Sequence, residues 1–231
     1  MITVETIRER HSVREYDGKP LSRAEFDALG AVVEEFARES GLDIQLVGGN
    51  PEVFNVIARF GLIRGCRTHV AFVVDDAEAR GVAADEAIGY WGQRIVLAAQ
   101  DMGLNTCWCA LCSRKKSRAV VAPGKKIRLI IAVGHGKTQG FSRKTKSVEA
   151  LSSVECAKAP AWFAAAMEAA QLAPTAMNNQ NFKIALLSDG KTVRIDAPQS
   201  GLNVIDEGIV RCNFEIAANE AGADWRWERD I

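Results

Sequence analysis

The chain reads as an α+β protein, with a mixed or antiparallel sheet flanked by helices. Helical stretches alternate with short β-rich runs, one tight hairpin signal stands near the C-terminal end, and repeats or low-complexity tracts are missing. The 231 residues are 48% apolar and 25% charged, which is enough to bury a full core. Lys plus Arg and Asp plus Glu number 29 each, so neither nucleic acid nor a membrane surface is expected as a partner. Apolar runs such as "RLIIAVG" are too short to span a bilayer, and "MITVETIRER" is too charged for a signal peptide. A cytoplasmic location is expected.

The elements follow in order. "TVETIRER" is a short helix ending near His11. Ser22 and Glu25 form a capping-box pattern ahead of Phe26, Leu29, Val33 and Phe36 at helical spacing. "LDIQLVGG" is a short strand, Asn50-Pro51 reads as the cap and first-turn proline of another helix, and "THVAFVVDD" is a buried strand. Residues 84–102 form the clearest helix, with Ala84, Ile88, Trp91, Ile95, Ala98 and Met102 on one face and Gly103 as its stop. "LNTCWC" and "KKIRLIIAVGHG" are further strands, and the polar, basic 138–147 is a loop. That loop divides an N-terminal portion, 1–146, from a C-terminal portion, 147–231. Pro160 opens an alanine-rich helix to about Leu172. "NFKIALL" and "TVRIDA" flank an Asp189-Gly190 turn as a hairpin, a helix runs from about Val204 to Ala221, and "ADWRWERD" alternates as a strand.

Two patterns suggest chemistry of a kind the chain does not otherwise support. Cys107, Cys109 and Cys112 form C-x-C-x-x-C, and Cys66 and His69 could add zinc ligands; the same stretch reads as a buried strand entering a turn, where cysteine acts as a small hydrophobe. Without a secretory context the six cysteines are expected as reduced thiols. "GHGKT" ends like a phosphate-binding loop, but the glycine required five residues before the Gly-Lys pair is Ile131. No G-x-G-x-x-G follows a strand, so a dinucleotide fold is unsupported.

Near the start, "RHSVREY" concentrates Arg10, His11, Ser12 and Arg14. In an extended chain Arg10, Ser12 and Arg14 share a face, and two guanidiniums with a hydroxyl suit an anionic group such as a phosphate. Much later, "LAPTAMNNQNF" follows a helix stopped by Pro174 and presents the amides of Asn178 and Gln180. Such groups suit the edge of a planar heterocycle or polyol hydroxyls.

Together the two stretches resemble the FMN-dependent nitroreductase family, whose members open with Arg-Arg/His-Ser-x-Arg/Lys and carry an Ala-Pro-Ser-x-x-Asn-x-Gln-Pro-Trp loop. "MGLNTCWCAL" after the long helix resembles the family's Gly-Leu-Gly-Thr-Cys-Trp strand, and "GFSRKTKSVEAL" resembles its Arg-Lys-Pro-Leu-Glu-Glu segment. The order departs from most members. The Ala-Pro loop lies in the C-terminal portion, as in a branch whose second part is itself nitroreductase-like and lends its loop to the site. Asn181-Phe182 stand where the family has Pro-Trp, and Ala110-Leu111 stand where it has Gly-Gly.

The resemblance implies a nitroreductase-like sheet and an FMN site completed by residues 147–231. Arg10 and Ser12 would contact the phosphate and ribityl chain, Arg14 the N1–C2 edge of the ring, and His11 the ribityl chain or the flavin. The backbone at Ala110 and Leu111 would face N5. Asn178 and Gln180, with Pro174 and Thr175 of their loop, would meet the ribityl chain and ring edge, and Arg143 or Lys144 would close on the phosphate. It implies hydride transfer from NADH or NADPH to the flavin and on to a small-molecule acceptor, a nitro compound, a quinone or a relative, in a homodimer. No catalytic triad and no metal enter. The other readings are an FMN store or sensor without turnover, an FMN enzyme of different chemistry such as a dehalogenase or double-bond reductase, and a flavin-free relative of the fold.

Overall fold

A computed structural model describes residues 2–54, 63–76, 82–155 and 158–229, with the side chain of Val82 excepted. The chain forms two compact units, one of residues 10–80 and 95–142, the other of residues 1–9, 81–94 and 143–231.

The first unit is built on a four-stranded antiparallel sheet. β1 (Asp43–Val47), β2 (Thr68–Asp75), β3 (Asn105–Cys109) and β4 (Lys125–Gly134) stand in the order β1-β2-β4-β3. Central β2 is buried along seven of its eight residues and pairs with β4 through Val70↔Ile131 and Phe72↔Leu129. Continuous apolar character is what two covered faces demand. α2 (Arg23–Ser40) packs on β1 and buries Leu29, Val33 and Phe36. It starts with the expected capping box, Ser22 with Glu25, and stops at Gly41 in the left-handed region, φ 70°. Pro51–Phe54 forms a 3₁₀ turn. The Asn50 side chain does not cap it as the sequence suggests: its Oδ1 accepts from the Arg118 amide at 2.9 Å, and its Nδ2 donates to Lys116 O at 3.1 Å. The rest of the helix expected after Pro51 lies outside the described residues.

The second unit contains α1 (Val4–Glu9), α4 (Val148–Leu151), α5 (Ala161–Gln171), α6 (Asn203–Glu220) and the sheet β5 (Lys183–Leu186), β6 (Thr192–Asp196), β7 (Arg226–Trp227). β5 and β6 are the expected hairpin; Asp189 accepts from the amides of Lys191 and Thr192, and Gly190 takes φ 71°. β7 is only two residues long and joins β6 in parallel. Trp162, Phe163, Trp225 and Trp227 form an aromatic cluster around Phe214 of α6.

α3 (Val82–Asp101) contributes Val82–Arg94 to this unit and Ile95–Asp101 to the other. The sequence predicts one buried face, but Ile95, Val96, Leu97 and Ala99 are all fully buried, so this part of the helix is covered all round. Its first part crosses α6 at Gly89 and Gly208. A Cβ on Gly89 would lie 2.0 Å from Ile205 O, and one on Gly208 would lie 2.0 Å from Glu86 O. Each glycine thus sits over the carbonyl three residues before the other, the reciprocity of a local two-fold contact. Beside the crossing, Arg211 and Arg229 are paired with buried Glu86 and Glu207 at 2.8–3.6 Å.

Candidate functional site

Residues 12–17 thread through the first unit as an extended segment held by backbone pairing on several sides. Ser12 bridges Thr106 of β3, Glu15 bridges Arg64, and Tyr16 bridges Gly136. Val13 N donates to Thr106 O at 2.9 Å, Tyr16 N to Arg64 O at 2.8 Å, and Asp17 N to His135 O at 2.9 Å. Val13 and Tyr16 are buried, while Ser12 and Arg14 stay half-exposed. Close approach requires glycine along this thread. A Cβ on Gly65 would lie 2.4 Å from Tyr16 O, and one on Gly136 would lie 2.8 Å from Val13 Cγ1.

The positive charge at the head of the thread is buried. Arg10 is 7% exposed, and the loss of hydration brings its pKa down to about 10. His11 is half-buried, and desolvation together with the Arg10 charge lowers its pKa, which favours the neutral ring. β3, to which Ser12 is bridged, ends at Cys109 and leads into Ala110 and Leu111; Ala110 is half-exposed and Leu111 is exposed. Arg10, His11, Ser12, Arg14, Ala110 and Leu111 are therefore all in the sheet unit.

Arg143, Lys144, Pro174, Thr175, Asn178 and Gln180 are all in the other unit, where the loop from 173 to 182 meets the basic segment at 144–146. Asn178 Nδ2 donates to Lys144 O at 2.8 Å, and Lys146 N donates to Gln180 Oε1 at 2.7 Å. Gln180 Nε2 donates to Gln171 O at 2.9 Å, and Lys146 Nζ to Gln180 O at 2.9 Å. Gln180 is 1% exposed, so its amide holds the loop together. Arg143 and Lys144 are exposed. Three non-glycine residues of the loop are left-handed: Met177 at φ 54°, Asn178 at 57° and Gln180 at 47°. Such backbone persists only where surrounding contacts over-determine it, and it concentrates at ligand clamps.

Several residues that hold the loop carry no motif in the sequence. Both carboxylate oxygens of Asp206, in the first turn of α6, lie 2.9 Å from the Ala176 amide. Burial pushes this carboxyl up to about 7, against the pull of that hydrogen bond. Thr175 Oγ1 accepts from Gln180 N at 3.0 Å, and Gln171 Nε2 donates to Lys146 O at 2.6 Å. An acidic residue in the apolar run "NVIDEGIV" was the available sign for Asp206.

The C-x-C-x-x-C cysteines are free thiols, and among the described residues no group of three or more His, Cys, Asp or Glu side chains is placed to hold a metal ion. His69 is buried, its Nε2 2.8 Å from Ser117 Oγ, and burial lowers its pKa to about 4. Among the described residues no helix is long and apolar enough to cross a membrane.

A protein-family model described as "Putative TM nitroreductase" matches residues 2–218. Among solved structures, one described as a "putative nitroreductase" from Thermotoga maritima is 20% identical with a TM-score of 0.67, over 100% of this chain and 90% of that one. A second, from Desulfovibrio desulfuricans and described as a nitroreductase in complex with FMN, is 20% identical with a TM-score of 0.52, over 66% of this chain and 95% of that one. At these identities the structural matches establish the fold, an α+β nitroreductase-like architecture. No curated protein sequence matches the chain.

Proposed function

The chain belongs to the family described as "Putative TM nitroreductase", and we propose that it is an FMN-dependent oxidoreductase fed by NADH or NADPH. The observation that carries the cofactor is the loop at 176–180, whose three left-handed non-glycine residues are clamped by Asp206, Lys146 and Gln171. A backbone held in that way is preorganised for a ligand. The D. desulfuricans relative, described with FMN, supports the same identity for the ligand.

The residues present fit such a cofactor. Arg10 is a desolvated cation that an anionic group would stabilise, which suits the phosphate, and the Ser12 hydroxyl suits phosphate or ribityl oxygens. Arg14, half-exposed, would meet the electron-rich edge of the ring and favour its reduced, anionic form. Half-buried His11, whose pKa is lowered by burial and by the Arg10 charge, would serve as a hydrogen-bonding neighbour rather than a second cation. Ala110 and Leu111 would border the ring through backbone atoms. From the loop, Pro174, Thr175 and Asn178 would contribute directly, whereas Gln180 would act as a positioning residue. Arg143 and Lys144, exposed and charged, would reach for the phosphate. When bound, FMN would accept hydride at N5 and pass the electrons to a small acceptor, of nitro or quinone type; the protein supplies binding, orientation and electrostatics.

The C-terminal portion's share in one FMN site follows from the family pattern, as does a homodimeric assembly. Light scattering of the purified protein checks the assembly. The function is tested by the visible spectrum and by the mass of the released chromophore, expected to be FMN. NADH or NADPH oxidation with a quinone follows. Tight FMN binding with no turnover would establish the store or sensor instead. A protein that stays colourless after reconstitution with excess FMN would overturn the proposal.

A further inference from the structure

β3 ends in a pair of thiols that the flavin reading does not use. Cys109 is its last residue, 6% exposed, and Cys112 is half-buried three residues later, beyond the bend at Ala110 and Leu111. Cys112 Sγ–H donates to Cys109 O at 3.4 Å, which sets the two side chains beside each other. Arg114 donates to Ala110 O at 3.0 Å, which fixes a cation near Cys112.

We propose that Cys109 and Cys112 are a redox-active dithiol, converted to an intramolecular disulfide by peroxide and returned by small thiols. A three-residue spacing across a bend, with Cys112 Sγ 3.4 Å from Cys109 O, keeps the two side chains adjacent, as closing a disulfide across the turn requires. The two thiols differ in character. Cys112 is the less buried of the two, and its pairing with Cys109, with the charge of Arg114, lowers its pKa against the effect of burial. Cys109 is held far above the ordinary thiol range, first by the hydrogen bond with Cys112 and then by burial. A half-buried thiol of lowered pKa backed by a buried thiol of raised pKa is the division between an attacking and a resolving cysteine.

The chemistry balances. The Cys112 thiolate attacks one oxygen of hydrogen peroxide; an S–O bond forms, the O–O bond breaks, and the departing hydroxide takes a proton to become water. The Cys109 sulfur then attacks the sulfenic sulfur of Cys112, forming the S–S bond as the S–O bond breaks, and its proton leaves with the hydroxyl as a second water. Two thiols have been oxidised and one peroxide reduced. Two equivalents of a small thiol reverse the change. The closed ring contains Ala110 and Leu111, so oxidation would fix the shape of that turn.

The remaining described thiols are differently placed. Cys66 is buried and donates to Thr68 O at 3.1 Å and Val133 O at 3.3 Å, and burial raises its pKa to about 12. Cys107 lies within the strand at 4% exposure, and Cys212 is at 1%.

The test treats full-length reduced protein with graded hydrogen peroxide, unfolds it, alkylates the remaining thiols and maps the peptides by fragment mass. Cys109 and Cys112 should lose alkylation together, their peptide should be lighter by two hydrogens, and dithiothreitol should restore both. Cys109→Ser should instead accumulate a dimedone-reactive sulfenic acid at Cys112, while Cys112→Ser should leave Cys109 fully alkylatable at the same peroxide. The proposal is overturned if Cys109 and Cys112 both remain alkylatable while another cysteine is oxidised. It is also overturned if Cys112→Ser forms a disulfide from Cys109 as readily as the parent protein.

Discussion

The two segments proposed to bind the flavin are held in opposite ways. The arginine thread at 12–17 is fixed through its backbone: Thr106, Arg64 and Gly136 pair with it, and glycines bring neighbouring chain within van der Waals distance. The loop at 174–180 has few backbone partners beyond its own turn and is fixed by the side chains of Asp206, Gln180, Gln171 and Asn178. Backbone pairing tolerates changes in the paired side chains but not added bulk at the glycines. Side-chain clamping has the reverse sensitivity, because one truncation leaves buried donors and acceptors unmatched.

The largest effect expected from this contrast is at Gly65. It combines φ 73° with a Cβ position 2.4 Å from Tyr16 O, so both conformation and space oppose a side chain. Gly65→Ala should destabilise the protein by about 3–4 kcal/mol, the sum of an overpacking and a left-handed term. Equilibrium denaturation in urea measures it, and a change below about 1 kcal/mol would show that the thread can move aside.

Next comes the clamp. Gln180→Ala removes the partners of the Lys146 amide and the Gln171 carbonyl, at an expected cost of about 2–3 kcal/mol, while Asn178→Ala, which frees only the half-exposed contact to Lys144 O, should cost under about 1 kcal/mol. Hydrogen exchange should report faster opening of 174–182 in the first variant. Comparable costs for the two would break the distinction between Gln180 as the clamp and Asn178 as the residue proposed to meet the ligand.

A smaller, pH-dependent effect belongs to Asp206. Its folded pKa of about 7 lies above the ordinary 3.8, so the folded state holds the extra proton between those values. Stability contributed by the neutral carboxyl is full below about pH 4, declines as pH rises to about 7, and is absent above it. Asp206→Asn keeps an acceptor for Ala176 and cannot ionise. Relative to the parent it should gain about 2–3 kcal/mol between pH 5 and pH 8. A pH-independent difference between the two proteins would contradict the raised pKa.

Much of this was legible in the sequence where the cause is local. Ser22 and Glu25 announced the start of α2, Asp189-Gly190 announced the hairpin, and Pro160 announced α5, because caps and turns are decided by neighbours in the chain. What was not legible depends on distant partners. Asn50 looked like a helix cap, but Arg118 and Lys116 claim its side chain. The 20-residue α3 showed one apolar face, but nothing in its periodicity revealed that Ile95–Ala99 is covered all round or that Gly89 meets Gly208. The candidate site divided along the same line. Arg10, Ser12 and Arg14 were visible as a charge concentration and Asn178 and Gln180 as an amide cluster. The left-handed backbone at Met177, the clamp from Asp206 and the internal use of the Gln180 amide all depend on contacts formed only on folding.

The measurement that bears most directly on FMN binding is calorimetric titration of apoprotein with FMN, comparing the parent with Arg10→Met. The substitution keeps a long apolar side chain in the buried position and removes the cation. An affinity loss of roughly 10- to 100-fold is predicted, about 1.4–2.8 kcal/mol, as for loss of a charge-assisted hydrogen bond. Equal FMN affinity in a folded Arg10→Met protein would contradict the assignment of that buried charge to the cofactor.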